Sequence, residues 1–315
     1  MPSMKAMIDF DAAPIFGIPM ADGSGVREGM LIEGPQGWGE FSPAPGCDDA
    51  ETTRWLTAAV EGGTVGWPDP RRGRIPIAVV VSAVDPVSAR RTVGASGCLA
   101  AELTVAATPG SLVDDVERVV AVRDELGPRG RIRLNANGMW NVEDAVRAIG
   151  ILAEAAAGVE FVGDPCRTTA ELAAVRGRVD VPIAAGASCA EAADVVILRS
   201  GPLGGVRRAL RVAERLEMPC VVSSSGETSI GLAAGLALAG ALPELPYACA
   251  LGTVTLLDGD LVAPGRSLRP VDGHLPVAPT PAAPVPELVR RFAVADAERV
   301  EEWRRRLRSA RSIPD

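Results

Sequence analysis

Lysine is almost absent from this sequence, and its absence excludes a class of catalytic mechanisms. Lys5 is the only lysine among the 32 Lys and Arg residues, so nearly every fixed positive charge is an arginine. Arginine stays protonated at physiological pH, because its pKa exceeds about 12. The chain therefore cannot hold a pair of lysines that act as base and electrophile in one site.

Histidine and closely spaced cysteines are also scarce, which excludes a zinc site of ordinary spacing. His274 is the only histidine, and we expect it to be structural or on the surface. The cysteines contain no CxxC pair, and most lie in apolar runs, which predicts buried, reduced thiols. They are Cys47, Cys98, Cys166, Cys189, Cys220 and Cys249.

Excess positive charge and long hydrophobic runs are missing too. The formal net charge is −8 and the pI is near 5.0, which argues against nucleic-acid binding, since that usually needs a basic face. The longest small-apolar run, at 230–242, is too short to span a bilayer and predicts a buried helix. No signal sequence is recognisable at the N-terminus. We expect a cytoplasmic protein with neither a nucleic-acid nor a membrane partner.

The hydrophobic pattern divides the chain into three segments. Residues 1–75 contain strand-like pieces at 4–15 and 29–41 and a helix from about residue 48. Residues 76–262 alternate short apolar strands with amphipathic helices, which is typical of a parallel sheet covered by helices. Residues 263–315 are proline-rich at first and end in a charged helix, which we interpret as a solvated surface or interface element.

Eight strands over roughly 175 residues favour a closed (β/α) barrel over an open sheet. The strand candidates are 77–82, 99–105, 131–135, 159–163, 182–185, 194–199, 219–223 and 247–251. The helix candidates are 111–126, 141–157, 168–178, 204–217 and 228–241.

In such a barrel the chemistry belongs at the carboxyl ends of the strands. Polar residues stand there on six strands, together with small residues that leave space. The candidate site residues are Glu102, Thr104, Asn135, Asn137, Gly163, Asp164, Gly186, Ala187, Ser188, Arg199 and the run Ser223 to Thr228, which includes Ser225 and Glu227.

Several segments, in order along nearly the whole chain, resemble the o-succinylbenzoate synthase family of the enolase superfamily. They include EGPQGWGEFSP, RIRLNANGMW, VGDPCRTTAELAAVR, VPIAAGAS and ADVVILRSGPLGGV. The resemblance implies a modified (β/α)7β barrel with an N-terminal α+β capping domain, a C-terminal tail packed on the cap, and often a homo-oligomer. It also implies a small-molecule substrate: the family dehydrates a cyclohexadiene carboxylate with two lysines and a magnesium ion held by three carboxylates.

At the positions of the family's lysines this sequence departs from the pattern. The Lys-x-Lys pair of the second barrel strand corresponds to Glu102 and Thr104, and the lysine after the sixth strand corresponds to Arg199. Without lysines, neither the family's base nor its charge-stabilising group is present.

The family's metal ligands are replaced as well. The three carboxylates correspond to Asn135, Gly163 and Gly186, while the residues next to the second and third are Asp164 and Ala187. Magnesium prefers several anionic oxygen ligands in octahedral geometry. We therefore predict no metal site and no cofactor. The resemblance also implies a deletion here of about ten residues that the family has between the third of these motifs and the sixth strand.

Several interpretations of the candidate residues stay open. Glu102 and Thr104 should both point into the barrel, and we hypothesise that Glu102 pairs with Arg199 across it. Asn135 and Asn137 could bind a substrate carbonyl or only satisfy loop backbone groups. Asp164 could be a general acid/base or a turn residue.

The run 223–229 and the PLGGV segment at 202–206 each precede a helix. Either could hold an anionic ligand group at the helix N-terminus, or provide ordinary capping. Within the first run, Ser223, Ser225 and Glu227 are the candidate ligand contacts.

Three functions remain as hypotheses. The favoured one is a metal-independent cyclase, lyase or isomerase of bacterial secondary metabolism. It would act, for example by pericyclic chemistry, on a small hydrophobic oxygenated molecule, with Glu102, Asp164 and Arg199 as catalytic groups. The second is a non-catalytic binding or scaffold protein. The third is a protein whose assignment as an o-succinylbenzoate synthase rests on homology alone.

Overall fold

The computed structural model describes residues 8–312, and Lys5 lies outside that range. The N-terminal segment forms an antiparallel sheet of β1 (Ile15–Pro19), β2 (Val26–Gly34) and β3 (Gly37–Phe41). The strand predicted at 4–15 is not observed over residues 8–14, which are irregular. The helix α1 (Asp49–Thr64) begins at the N-cap Asp48 and packs on this sheet.

The central segment is a sheet of seven parallel strands that follow one another in chain order. Their strong apolar content reflects burial on both faces. The strands are β5 (Ala78–Val81), β6 (Ala100–Thr104), β7 (Arg131–Asn135), β8 (Val162–Gly163), β9 (Ile183–Gly186), β10 (Val195–Leu198) and β11 (Cys220–Val222). A separate antiparallel pair joins β4 (Arg74–Pro76) to β12 (His274–Pro276).

The segment predicted as an eighth strand closes the barrel through isolated bridges. Cys249 bridges Ile77 beside β5, and Ala250 bridges Ser223 at the end of β11. The amide of Ala250 also donates to the carbonyl of Val222 at 3.0 Å. The predicted (β/α)7β barrel with an N-terminal cap is therefore confirmed.

All five predicted barrel helices are present, and two more were not predicted. The first of these, α2, begins after Asp85, whose carboxylate accepts from the amides of Val87 and Ser88, and has Pro86 in its first turn. That Asp-Pro pair is a helix-start signal in the sequence. The helices are α2 (Pro86–Ser96), α3 (Leu112–Leu126), α4 (Val142–Ala155), α5 (Thr169–Arg176), α6 (Ser200–Leu203), α7 (Val206–Leu216) and α8 (Ser229–Ala241).

The chain returns to the cap after the barrel. α9 (Pro286–Arg291) and α10 (Ala297–Ser312) follow the proline-rich segment, and α10 packs against α1. Trp303, Leu307 and Ala310 of α10 are buried in the same hydrophobic cluster as residues of the cap sheet. Of the two interpretations of this helix, a solvated element is wrong for the buried face, and an interface element agrees with its packing on the cap.

The cysteines and the apolar helix follow expectation. All six thiols are free, and four of them are buried. Helix α8 contains the apolar run of 230–242 and is buried along its length. None of the helices between residues 8 and 312 is long and apolar enough to cross a bilayer.

Candidate functional site

A cavity of about 560 Å³ opens at the carboxyl ends of the barrel strands. Eight of the nine residues predicted for catalysis and substrate binding line it, and Glu227 does not. The side chains that line it are mostly polar, and Val80, Cys166 and Ala250 supply the apolar ones. The lining comprises Val80, Glu102, Thr104, Asn135, Asn137, Gly138, Asp164, Cys166, Arg167, Arg199, Ser223, Ser224, Ser225, Ala250 and Thr253.

Asp164 and Arg199 form an ion pair in this cavity. The Arg199 Nη2 lies 3.3 Å from the Asp164 Oδ2, and each side chain is about one quarter exposed (24% and 25%). The other oxygen of Asp164 accepts from the amide of Gly186 at 3.3 Å. Asp164 has a φ of 42°, in the left-handed region that few non-glycine residues adopt. The turned backbone, Arg199 and the Gly186 amide thus hold the Asp164 carboxylate in the cavity wall.

The predicted Glu102–Arg199 pair is wrong. Glu102 instead pairs with Arg133, whose Nε lies 3.0 Å from the Glu102 Oε2 and whose side chain has no exposed surface. Arg133 stands two residues before Asn135 on β7, so alternation along the strand places both on the barrel side. Arg133 also donates to the carbonyl of Ala248 at 2.6 Å. The strand register Glu102↔Arg133 favours this short-range pairing over one across the barrel.

The two asparagines form a local turn. The Asn135 Oδ1 accepts from the amide of Asn137 at 3.0 Å, and Asn137 has a φ of 50°. That contact satisfies the loop backbone, as one of the two interpretations requires. Both residues still line the cavity, so the Asn135 amide nitrogen and the Asn137 side chain remain candidate ligand contacts.

In the serine-rich run, three serines line the cavity and Glu227 does not. Ser223 and Ser225 line the cavity, whereas Glu227 is buried and accepts from the Ser224 hydroxyl at 2.5 Å and the Ser225 amide at 2.7 Å. Glu227 therefore holds the loop rather than a ligand, and the structure does not support it as a direct contact.

Both predicted anion-binding helix N-termini are already occupied by carboxylates of the protein. At the start of α8, Glu40 from β3 accepts from the amides of Thr228 and Gly231 at 3.1 and 3.2 Å. At the start of α7, Glu61 from α1 accepts from the amides of Val206 and Arg207. These amides bind the cap to the barrel and are not available to a ligand.

The strand ends do not fit a magnesium ion. Asn135, Gly163 and Gly186 end the neighbouring strands β7, β8 and β9, where an amide is the only side-chain oxygen. A Cβ at Gly186 would meet no atom within 4 Å, so space is present but donors are not. Among residues 8–312, no group of three or more His, Cys, Asp or Glu side chains is placed to hold a metal. A hard divalent cation needs more anionic oxygens than this arrangement supplies.

The cavity lining also includes a thiol. Burial raises the pKa of Cys166 to about 11, so the thiol stays protonated at neutral pH and is a poor nucleophile. The side chains that remain for chemistry are the Asp164–Arg199 pair, Glu102, the asparagine amides, hydroxyls and the guanidinium of Arg167. They can bind and orient oxygen atoms by hydrogen bonds and can stabilise negative charge.

The capped barrel with its site at the strand ends defines an enolase-type protein, and comparisons with known proteins agree. The family model described as enolase C-terminal domain-like matches residues 86–283, and the enolase N-terminal domain-like model matches residues 15–63. The chain belongs to the enolase superfamily, and within it to the relatives of o-succinylbenzoate synthase.

Two curated relatives carry that placement. An o-succinylbenzoate synthase from Thermobifida fusca is 51% identical over 276 residues, which cover 83% of this chain and 86% of the relative. One from Mycobacterium bovis is 40% identical over 329 aligned positions, covering 99% and 97%. Among solved structures, a muconate lactonizing enzyme from Pseudomonas fluorescens matches with a TM-score of 0.76 at 19% identity, covering 90% of this chain and 98% of that one. This last likeness supports the fold alone.

Proposed function

We propose that this chain is a metal-independent relative of o-succinylbenzoate synthase. Its barrel mouth binds a small oxygenated molecule and promotes a cyclisation, rearrangement or elimination. The observation that carries the proposal is the combination at the strand ends of β7 to β9: an amide and two glycines stand where the family resemblance places three carboxylates, beside a retained polar cavity.

The polar lining changes the expected ligand. The sequence suggested a hydrophobic oxygenated molecule, but hydroxyls, amides and the pair Asp164–Arg199 form most of the cavity wall. A ligand that covers this wall must offer hydrogen-bonding groups, because polar groups that are buried without a hydrogen bond cost binding free energy. A ligand with several oxygen atoms fits this wall better than a hydrocarbon skeleton does.

Asp164, Arg199 and Glu102 have different roles in this proposal. Asp164 lies on the cavity wall, where its carboxylate can accept a proton from a bound ligand or position a hydroxyl. Arg199 cannot act as a base, and it stabilises negative charge on a ligand oxygen through its guanidinium. Glu102, which pairs with the buried Arg133, orients the ligand.

A non-catalytic binding protein is the second candidate function. The occupied helix N-termini favour it, because Glu40 and Glu61 use amides that could otherwise stabilise charge developing on a substrate. In this case the cavity binds a ligand without converting it.

A direct assay separates these functions. The purified protein is incubated with the cyclohexadiene carboxylate that the family dehydrates, with magnesium or manganese and separately with a chelator, beside a metal analysis. We expect no metal-dependent dehydration. Metal-dependent turnover that a chelator abolishes would contradict the proposal and support authentic synthase activity.

A second measurement distinguishes catalysis from binding. Thermal unfolding is recorded with a panel of small carboxylic acids and phenols, and the compounds that stabilise the protein are then analysed for conversion. Stabilisation with conversion that Asp164→Asn removes supports the catalytic function. Stabilisation without conversion supports the binding function.

A further inference from the structure

A second, larger cavity lies beside the barrel mouth, between the cap helix α1 and the barrel helix α7. It measures about 880 Å³, and we call it the arginine groove after its most frequent lining residue. Its arginines are Arg54, Arg199, Arg208, Arg211 and Arg215. Glu51 is the one carboxylate residue of its lining, so the groove carries a large excess of positive charge.

Three of these arginines form one face of α7. Arg208, Arg211 and Arg215 follow one another at spacings of three and four residues, which places them on the same side of a helix. No carboxylate of residues 8–312 lies within ion-pair distance of their guanidinium groups. The neighbouring Arg207, in contrast, is paired with Glu61 at 3.1 Å. Arg208, Arg211 and Arg215 thus have no carboxylate partner among residues 8–312, whereas Arg199 is paired with Asp164.

Two guanidinium-bearing side chains are also close together at the start of α7. A Cβ built at Gly204 would lie 3.2 Å from the Arg208 Cδ and 3.6 Å from the Arg54 Cβ, so both side chains pass over this glycine. The Nε of Arg54 donates to the carbonyl of Pro202 at 2.6 Å, which fixes its direction. Both arginines therefore border the same end of the groove, and their positive charges favour a bound anion there.

The arginine groove adjoins the barrel mouth. Arg199 and Ser225 line both cavities, and the Ser225 hydroxyl is buried without a hydrogen-bond partner in the described part of the chain. Gly186, Ala187 and Ser188 form the border on the side of β9. The connection from β9 to β10 is only a short 3-10 helix, Ala187–Ala192, so no full helix covers this side.

We propose that the arginine groove binds the phosphate or pyrophosphate arm of a ligand whose other end reaches the barrel mouth. Guanidinium groups suit phosphate oxygens, because they offer paired donors in a planar fork and stay charged. Several unpaired arginines match a group of two or more negative charges better than a single carboxylate. The proposal of a phosphate site depends only on the residues of the arginine groove. The proposal that the same ligand reaches the barrel mouth rests on the proposed function.

Calorimetric titration of the whole chain with pyrophosphate tests the site. The groove variant combines Arg208→Gln, Arg211→Gln and Arg215→Gln. The control variant combines Arg90→Gln, Arg147→Gln and Arg290→Gln, which removes the same charge from exposed arginines that pair with carboxylates elsewhere on the surface. Thermal unfolding of both variants verifies that they are folded.

We expect saturable pyrophosphate binding that weakens at least about tenfold in the groove variant, because charge-assisted contacts are lost. The control variant should change by less than about twofold, since distant surface charges are screened by salt. Equal weakening in both variants, or no saturable binding to the wild type, would overturn the proposal.

Two further measurements identify the kind of ligand that carries the phosphate and distinguish anion binding from catalysis in the barrel mouth. Tighter binding of adenosine diphosphate than of pyrophosphate indicates a nucleotide-bearing ligand, and tighter binding of an alkyl diphosphate indicates a lipid-like one. Both outcomes support the phosphate site. Asp164→Asn removes the carboxylate partner of Arg199, which lines both cavities, so it should leave pyrophosphate binding at least as tight as in the wild type. Failure of catalysis in the barrel mouth can thus be observed while the anion site persists.

Discussion

Arg133 determines how charge is arranged inside the barrel. Its side chain is fully buried, pairs with Glu102, donates to the carbonyl of Ala248 and lies over the ring of Phe161 at 5.2 Å. A buried arginine is tolerated only with such partners, because an isolated buried charge is very costly. Arg199 faces the cavity with Asp164 instead, which leaves it able to contact a ligand.

The Glu102–Arg133 pair can be tested by paired substitutions. Glu102→Ala leaves Arg133 buried without its carboxylate, and we expect the free energy of unfolding to fall by about 3–5 kcal/mol. Adding Arg133→Leu should recover a large part of that loss, because the uncompensated charge is removed. Urea unfolding of the wild type and of these two variants measures the loss and the recovery.

Arg199→Leu provides the control for that experiment. Combined with Glu102→Ala, it should recover nothing, since Arg199 pairs with Asp164. Recovery by Arg199→Leu and not by Arg133→Leu would instead support a pair across the barrel.

We predict that a metal site can be introduced at the ends of β7, β8 and β9 by substitution. Asn135→Asp, Gly163→Glu and Gly186→Asp together place carboxylates at the ends of three neighbouring strands. A Cβ at Gly163 would meet its nearest neighbour, the Ile197 Cδ1, at 3.4 Å, and one at Gly186 would meet nothing within 4 Å. We expect the triple variant to bind manganese in an electron paramagnetic resonance titration, because three carboxylates suit a hard cation.

The wild type and the single variant Gly186→Asp are the matched controls for restored binding. Both should bind manganese at least about tenfold more weakly than the triple variant, because a lone carboxylate makes a poor site. A folded triple variant that binds no more manganese than the wild type would show that these strand ends do not converge on one ion.

Among the elements, helix α10 has a strongly charged sequence, and one of its faces is nevertheless buried in the hydrophobic core of the cap. Trp303 is 3% exposed, its indole nitrogen donates to the Glu28 Oε2 at 2.9 Å, and its ring meets that of Phe41 edge-on at 6.0 Å. Leu307 and Ala310 continue the same buried face. The helix is therefore part of the cap although it lies at the other end of the chain.

Trp303→Ala should destabilise the cap strongly. We expect a loss of about 3–5 kcal/mol in the free energy of unfolding, because a large cavity forms in the cap core. Trp303→Phe keeps an aromatic ring and should cost less, and Arg305→Ala on the exposed face should cost less than about 0.5 kcal/mol. If chemical unfolding gives equal, small losses for Trp303→Ala and Arg305→Ala, α10 does not pack as described.

At the scale of the whole molecule, carboxylates of the cap insert into helix N-termini of the barrel. Glu61 reaches α7 and Glu40 reaches α8, so each satisfies amides that a helix leaves unpaired. Glu40 is buried, and burial raises its pKa to about 7 despite the opposing effects of Arg27 and of hydrogen bonds from Thr228 and Ser42. The nearby Glu227 raises the pKa further.

The raised pKa of Glu40 predicts a pH-dependent stability. The folded state holds the proton more tightly than the unfolded chain, where the pKa is near 4.5. The contribution of protonated Glu40 to the free energy of unfolding is therefore fully present below about pH 4.5 and is lost as the pH rises through about 7. The loss is on the order of 3 kcal/mol.

Urea unfolding of the wild type and Glu40→Gln between pH 5 and pH 8 tests this dependence. The stability advantage of the wild type over the variant should shrink as the pH rises, because glutamine does not titrate. The comparison cancels the pH dependence that the two proteins share, because they differ only at position 40. Parallel pH profiles of the two proteins would contradict the assignment.

Local sequence patterns were sufficient to predict the barrel, five of its seven helices and eight of the nine candidate residues that line its mouth. Alternating apolar strands and amphipathic helices depend on local periodicity, and strand ends of a parallel barrel converge whatever their side chains. The presence of an amide and two glycines at Asn135, Gly163 and Gly186 was likewise visible, because the segments around them resemble the family's motifs.

The pairing of charges was visible only in three dimensions, and so was the binding of cap carboxylates to the amides at the N-termini of α7 and α8. Arg133 could have been placed beside Glu102 from strand alternation, but its choice over Arg199 depends on the register of β6 and β7. The occupation of α7 and α8 by Glu61 and Glu40 depends on contacts far apart in sequence. The physical reason is that periodicity fixes the side of an element on which a residue lies, whereas electrostatic pairing depends on distances of a few ångströms between separate elements.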